Sequence, residues 1–177
     1  IREACNITEG GFRKVLPCIQ PGIMEYEIEA ILIGEFTRHR SKGFAYDPIV
    51  AAGANSCVLH YTANSQPCHT GDIILLDVGA EYANYKADLT RVVPVSGCFT
   101  QRQRAVYEAV LHVMRQAQQL LVAGNNLVTY HQQIEAVVEQ ELLGLGLLDR
   151  TDLKHQDLKH PAYKKYFMHS VSHHIGL

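Results

Sequence analysis

Ile73-Ile74-Leu75-Leu76-Asp77-Val78-Gly79 and Asp88-Leu89-Thr90-Arg91-Val92-Val93-Pro94-Val95 are the stretches on which the reading of this chain turns. Both are short, apolar and rich in β-branched residues, which predicts buried strands. Asp77 interrupts the first run and Asp88 opens the second. A carboxylate in a core strand is costly unless it is paired or bound to a metal. Two of them on adjacent antiparallel strands repel each other unless a cation lies between them. A metal site with converging carboxylates is the expectation.

Outward from these strands, the joining segment Ala80-Glu81-Tyr82-Ala83-Asn84-Tyr85 reads as a connection. On the N-terminal side, Pro48-Ile49-Val50-Ala51-Ala52 and Cys57-Val58-Leu59-His60-Tyr61 look like short strands around Gly53-Ala54-Asn55. Thr62 to Asp72 is polar, contains Pro67 and Gly71, and reads as a loop, as does Ser41-Lys42-Gly43. Two helices precede them. Ala4, Ile7, Gly11 and Val15 give helical spacing from Ile1 to Leu16, with Pro17 as the stop. After the Pro21-Gly22 turn, Ile28, Ile31, Leu32 and Phe36 predict a second helix from about Glu25.

Beyond the strands, Thr100 with Gln103 suggests a capping box. The third helix it opens carries Val106, Val110, Met114, Ala117 and Leu121 and ends by Gly124. Thr129 to Leu143 is a fourth helix with Ile134, Val137 and Val138 inward. Leu153 to Lys165 is polar and loop-like, and Phe167-Met168-His169-Ser170-Val171 reads as a strand start. The order αα-ββ-ββ-αα-β argues for an α+β fold rather than a doubly wound sheet.

Composition narrows the function. The chain has 177 residues, 47% hydrophobic and 19% charged, and its 16 basic against 18 acidic side chains leave a net charge of −2. That balance gives no nucleic-acid footprint. No apolar stretch approaches the ~20 residues of a membrane span. The N-terminus resembles neither a signal nor a transit peptide and lacks an initiator Met, so the chain is expected to begin inside a longer protein. The five cysteines, Cys5, Cys18, Cys57, Cys68 and Cys98, fit no zinc spacing and suit a reducing compartment, the cytoplasm.

Histidines offer further donors. His169-Ser170-Val171-Ser172-His173-His174-Ile175-Gly176-Leu177 supplies three, and imidazole is the commonest transition-metal ligand. The HExxH pattern fails here, because Ser170 stands where that motif needs Glu. His60, in His60-Tyr61-Thr62, sits at an expected strand end, where it could as well fill a half-buried position. His69, His112 and His131 receive no role.

Taken together, these motifs resemble the pita-bread metallopeptidases, the family of aminopeptidase P, prolidase, methionine aminopeptidase and creatinase. The resemblance runs through Pro21-Gly22, Ile49-Val50-Ala51-Ala52-Gly53, Leu59-His60-Tyr61-Thr62, Leu76-Asp77-Val78-Gly79-Ala80-Glu81-Tyr82, Ala87-Asp88-Leu89-Thr90-Arg91, Phe99-Thr100-Gln101 and the histidine segment. It is strongest to the bacterial aminopeptidase P branch, which removes an N-terminal residue preceding proline. The resemblance implies that Asp77 holds one metal ion, that Asp88 bridges two, and that His173 is a third ligand. It implies that His60 and His169 line the substrate site. No function passes to His174, where relatives often carry an aromatic residue.

The implied cofactor is a pair of divalent ions, Mn²⁺ foremost with Co²⁺, Zn²⁺ or Fe²⁺ as rivals, because carboxylates and one imidazole make a mostly oxygen site. The implied partner is a peptide with proline second, and a homo-oligomer is expected. Two glutamates that complete the family's site would follow Leu177, so residues 1–177 are expected to be part of a pita-bread catalytic domain, inactive alone. A prolidase, a creatinase-like enzyme or a binding module that has lost catalysis are the alternatives.

Overall fold

The computed structural model describes residues 1–157 and 160–175. Leu158 and Lys159, within the expected loop, and Gly176 and Leu177, which close the histidine motif, lie outside the described residues. The chain divides into two compact units, Ile1–Thr100 with His174 and Ile175, and Gln101–His173.

The first unit opens with α1 (Arg2–Val15) and α2 (Glu25–Arg38), separated by a 3-10 turn at Leu16–Cys18 that contains Pro17. Both helices begin and end close to where the proline and glycine punctuation places them. α1 buries Ala4, Ile7, Thr8, Gly11 and Val15, one stripe at three- and four-residue spacing. The missing side chain of Gly11 admits α2: a Cβ there would lie 2.5 Å from the Phe36 ring.

Two small antiparallel sheets follow. One orders β2 (Ile49–Ala52), β3 (Ile73–Val78) and β6 (Leu89–Pro94); the other orders β1 (Gly43–Phe44), β4 (Ala80–Tyr82) and β5 (Tyr85–Lys86). Ile49 faces Asp77 across β2 and β3, and Thr90 faces Asp77 across β3 and β6. Successive residues of a strand point to opposite faces. Ile74, Leu76 and Val78 are therefore fully buried with Ile28, Leu32 and Phe36 of α2, while Ile73, Leu75 and Asp77 are half-buried. Thr8 ties α1 to the second sheet by accepting a 2.9 Å bond from the Ala80 amide.

The second unit contains α3 (Gln101–Leu120), α4 (Leu127–Gly144) and a short α5 (Arg150–His155). Asn126 caps α4 by accepting from the Thr129 amide. Ala117, Tyr130, Ile134, Val138, Leu142, Leu148 and Tyr163 form its core.

The structure corrects several expectations. Cys57–Tyr61 is not a strand: Gly53–Cys57 is a 3-10 helix and the chain then turns, leaving Val58 and Leu59 55% and 57% exposed. Apolar residues need not be inside, and composition cannot separate an exposed apolar turn from an inner strand. The connection 80–85 forms the β4–β5 hairpin instead of a plain link, and Gly43 enters β1 rather than a loop. Within 153–165, Arg150–His155 closes a helical turn under the Asp149 cap and Ala162–Lys165 a 3-10 turn. Among the described residues, 167–171 pair with no strand, and a strand exists only within a ladder. On α3, Ala109 and Ala117 are the buried positions, and Val110 is 62% exposed. The expected burial of both carboxylates also fails: Asp77 is half-buried and Asp88, just ahead of β6, is exposed.

Candidate metal centre

Asp77 reaches its place from the middle of β3, and Asp88 from the residue before β6. The chain between them leaves β3 at Val78, forms the β4–β5 hairpin and returns through Ala87. Its two-residue turn, Ala83-Asn84, has φ +53° and +71°, the pattern of a tight hairpin with two left-handed residues.

Gly79 makes this return possible. A Cβ at Gly79 would stand 1.8 Å from the Ala87 carbonyl oxygen and 3.2 Å from the Tyr46 ring. Its own carbonyl accepts a 2.8 Å bond from the Ala45 amide. One missing side chain therefore lets the segment bearing Tyr46 and the segment bearing Asp88 both close on the end of β3.

The result is a convergence on one hydroxyl. Tyr46 Oη lies 2.7 Å from Asp77 Oδ1 and 3.3 Å from Asp88 Oδ1. With one proton to give, it donates chiefly to Asp77, the nearer acceptor. Burial, above all, and the bond to Asp77 with the two negative charges push the phenol well above its ordinary value. The hydroxyl is thus kept protonated as a donor to the carboxylate pair.

Both carboxylates reach that one hydroxyl, Asp77 from within its strand and Asp88 from the residue ahead of its own. Their chemistry fits a hard or borderline divalent ion, because two carboxyl groups supply oxygen donors beside one hydroxyl. They supply only part of a ligand set. Among the described residues no three His, Cys, Asp or Glu side chains are grouped closely enough to hold a metal ion. His60 belongs to the same unit, exposed on the turn after Gly53–Cys57, with φ +52°. His169 and His173 are exposed residues of the second unit.

Sequence reading missed Tyr46 and Glu25. Tyr46 is remote in sequence from both aspartates, and Tyr46-Asp47-Pro48 carries no motif that marks it. Glu25, first residue of α2, reads as an ordinary acid in a first helical turn, yet it is fully buried. Its only sequence signal is the preceding Pro21-Gly22 turn, which fixes where the helix begins.

Comparison with known proteins gives a consistent result. Residues 1–177 match the sequence profile of metallopeptidase family M24. The chain is 40% identical to Xaa-Pro aminopeptidase of Haemophilus influenzae, across 100% of this chain and 41% of that protein. It is 35% identical to Xaa-Pro aminopeptidase of Escherichia coli, across 100% of this chain and 40% of that protein. A variant of Escherichia coli aminopeptidase P in complex with substrate superposes with a TM-score of 0.92 at 35% identity, over 99% of this chain and 39% of that one. The zinc-substituted form of the same enzyme in complex with product gives 0.92 at 35% identity, over the same shares of the two chains. The chain thus spans about two fifths of the relatives it matches.

Proposed function

The chain belongs to metallopeptidase family M24 and has its pita-bread fold over the part it spans, and from that we propose that it builds one side of a dinuclear metal centre in an aminopeptidase that releases the N-terminal residue preceding proline. The observation that carries this reading is the convergence of Asp77 and Asp88 on the Tyr46 hydroxyl.

In this reading Asp77, Asp88 and His173 would hold the ions. Mn²⁺ leads, and Co²⁺, Zn²⁺ and Fe²⁺ are rivals, because the donors are mostly carboxylate oxygens. Such ions, when bound, would supply Lewis acidity and a water of lowered pKa. Tyr46 orients Asp77 by donating its proton, and the same bond keeps the half-buried carboxylate satisfied where its solvent is incomplete. His60 and His169 meet the peptide near the bond to be cut, where an imidazole can give or take a proton close to neutral pH. The substrate's proline supplies a tertiary amide with no N–H, so recognition cannot rest on that backbone donor. Five free cysteines support placing the protein in a reducing compartment, the cytoplasm.

The test uses the intact protein, loaded with each divalent ion in turn, on matched peptides with proline or alanine second. Release of the first residue from the proline peptides, absent after chelation, is the expected result. Equal cleavage of the alanine peptides, or turnover indifferent to chelation, would overturn the reading. Xaa-Pro dipeptides beside longer peptides separate a prolidase from an aminopeptidase.

A further inference from the structure

Glu25 is 0% exposed, although its side chain is a carboxyl group and takes no part in the Asp77–Asp88 pair. A buried carboxylate is tolerated when donors replace its water. Glu25 has four. Oε1 accepts from the Ala52 amide at 2.8 Å and from Asn55 Nδ2 at 3.1 Å. Oε2 accepts from the Tyr61 hydroxyl at 2.7 Å and from the Gln66 amide at 2.9 Å. These donors come from the end of β2, the 3-10 helix, the turn after it and the loop beyond, so they bracket 52–66.

A second clamp closes the same segment. Asn64, 3% exposed with φ +43°, accepts from the Val50 amide at 3.0 Å. It also donates to Glu29 Oε2 at 2.8 Å and to the Pro48 carbonyl at 2.9 Å. Between the clamps stands His60 at φ +52°, in the sparsely populated left-handed region. A non-glycine residue stays there only when its surroundings over-determine it. Its neighbour, Tyr61, is the residue tied to Glu25. His60 itself is exposed, so the strain is not a by-product of burying its ring.

We propose that Glu25 is a positioning residue: through the Tyr61 hydroxyl, its carboxylate holds the His60-Tyr61 turn in the left-handed form that presents the His60 imidazole to substrate. This rests on the reading in which His60 meets the peptide. Glu25 touches no reacting atom, and its effect passes through Tyr61.

Tyr61→Phe is the informative variant, since it removes one of the four donors and leaves the carboxylate with three. Three measurements on the intact protein test the idea: kcat/KM on a proline-second peptide, melting temperature, and amide hydrogen exchange over 58–66. His60→Ala lowers kcat/KM on the order of a hundredfold. Tyr61→Phe lowers it about tenfold, with a fall in melting temperature no larger than the loss of one buried hydrogen bond and with faster exchange at 59–62. The double variant is no worse than His60→Ala alone, because both changes act through one group. Effects that multiply would overturn the proposal, as would normal exchange at 59–62 in Tyr61→Phe. Full activity of His60→Ala would instead refute the role given to His60, and exchange would still decide whether Tyr61 and Glu25 hold the turn.

Discussion

Asp77 and Asp88 share one hydroxyl but not one environment. Asp77 is half-buried in a ladder and takes the 2.7 Å bond, while Asp88 is exposed ahead of β6 at 3.3 Å. Asp88→Ala in the intact protein should therefore leave folding intact and relieve like-charge repulsion. Turnover and metal content should fall together, with a melting temperature equal to or above that of the parent. Wild-type turnover would make Asp88 structural. At Tyr163, burial first and then the bond to Glu135 push the phenol up to about 12 from its ordinary 10.0. Below pH 10 both folded and unfolded chains keep this proton, and its contribution is complete. From pH 10 to 12 the unfolded chain ionises first, so stability falls with a slope of up to about 1.4 kcal/mol per pH unit. Alkaline urea melts of the parent should show this loss, and Tyr163→Phe should remove its share. At this scale the sequence announces a carboxylate that interrupts an apolar run. It does not announce Tyr46, whose role depends on a contact closed only by the fold.

Elements were legible where punctuation and period agreed. α1 and α2 carry proline, glycine and a clean apolar stripe. The expected strand at Cys57–Tyr61 had apolar content but no partner to make it a strand. The β4–β5 hairpin escaped notice because Ala83 is not a residue that advertises a left-handed turn. Two glycines separate local preference from packing. Gly10 lies inside α1, and a Cβ added there would meet nothing within 4 Å, so Gly10→Ala should stabilise by about 0.5–1 kcal/mol through helix propensity. Gly79→Ala would drive a methyl group into the Ala87 carbonyl. It should cost more than about 4 kcal/mol or prevent folding, as thermal melts and soluble yield would show. Equal effects of the two changes would remove Gly79 as the cause of the carboxylate geometry.

Across the whole molecule, the α+β class was legible from element order, because runs of helices and runs of strands stay separate along the chain. The division at Thr100 and Gln101 was not. No change of composition marks it, and it follows from the helices after Thr100 burying their faces on one another. The metal centre shows the same limit of local information. Its carboxylate pair arises within one unit, and no third donor joins it among the described residues. Because a pair of carboxylates offers few donors, the 177-residue chain should lose divalent metal on gel filtration. Retention of the metal would reopen the ligand assignment.

The Ala83-Asn84 turn also sets a timetable. Hairpins close in about 1–10 μs, well ahead of contacts between distant segments. Asp77 and Asp88 sit just outside the hairpin that turn closes, so they approach each other before the Tyr46 segment arrives to share its proton. Their repulsion then falls on the refolding barrier rather than on the finished structure alone. Salt screens such a term, so stopped-flow refolding should quicken between low and moderate ionic strength in the parent. In Asp88→Ala the rate should be nearly independent of salt.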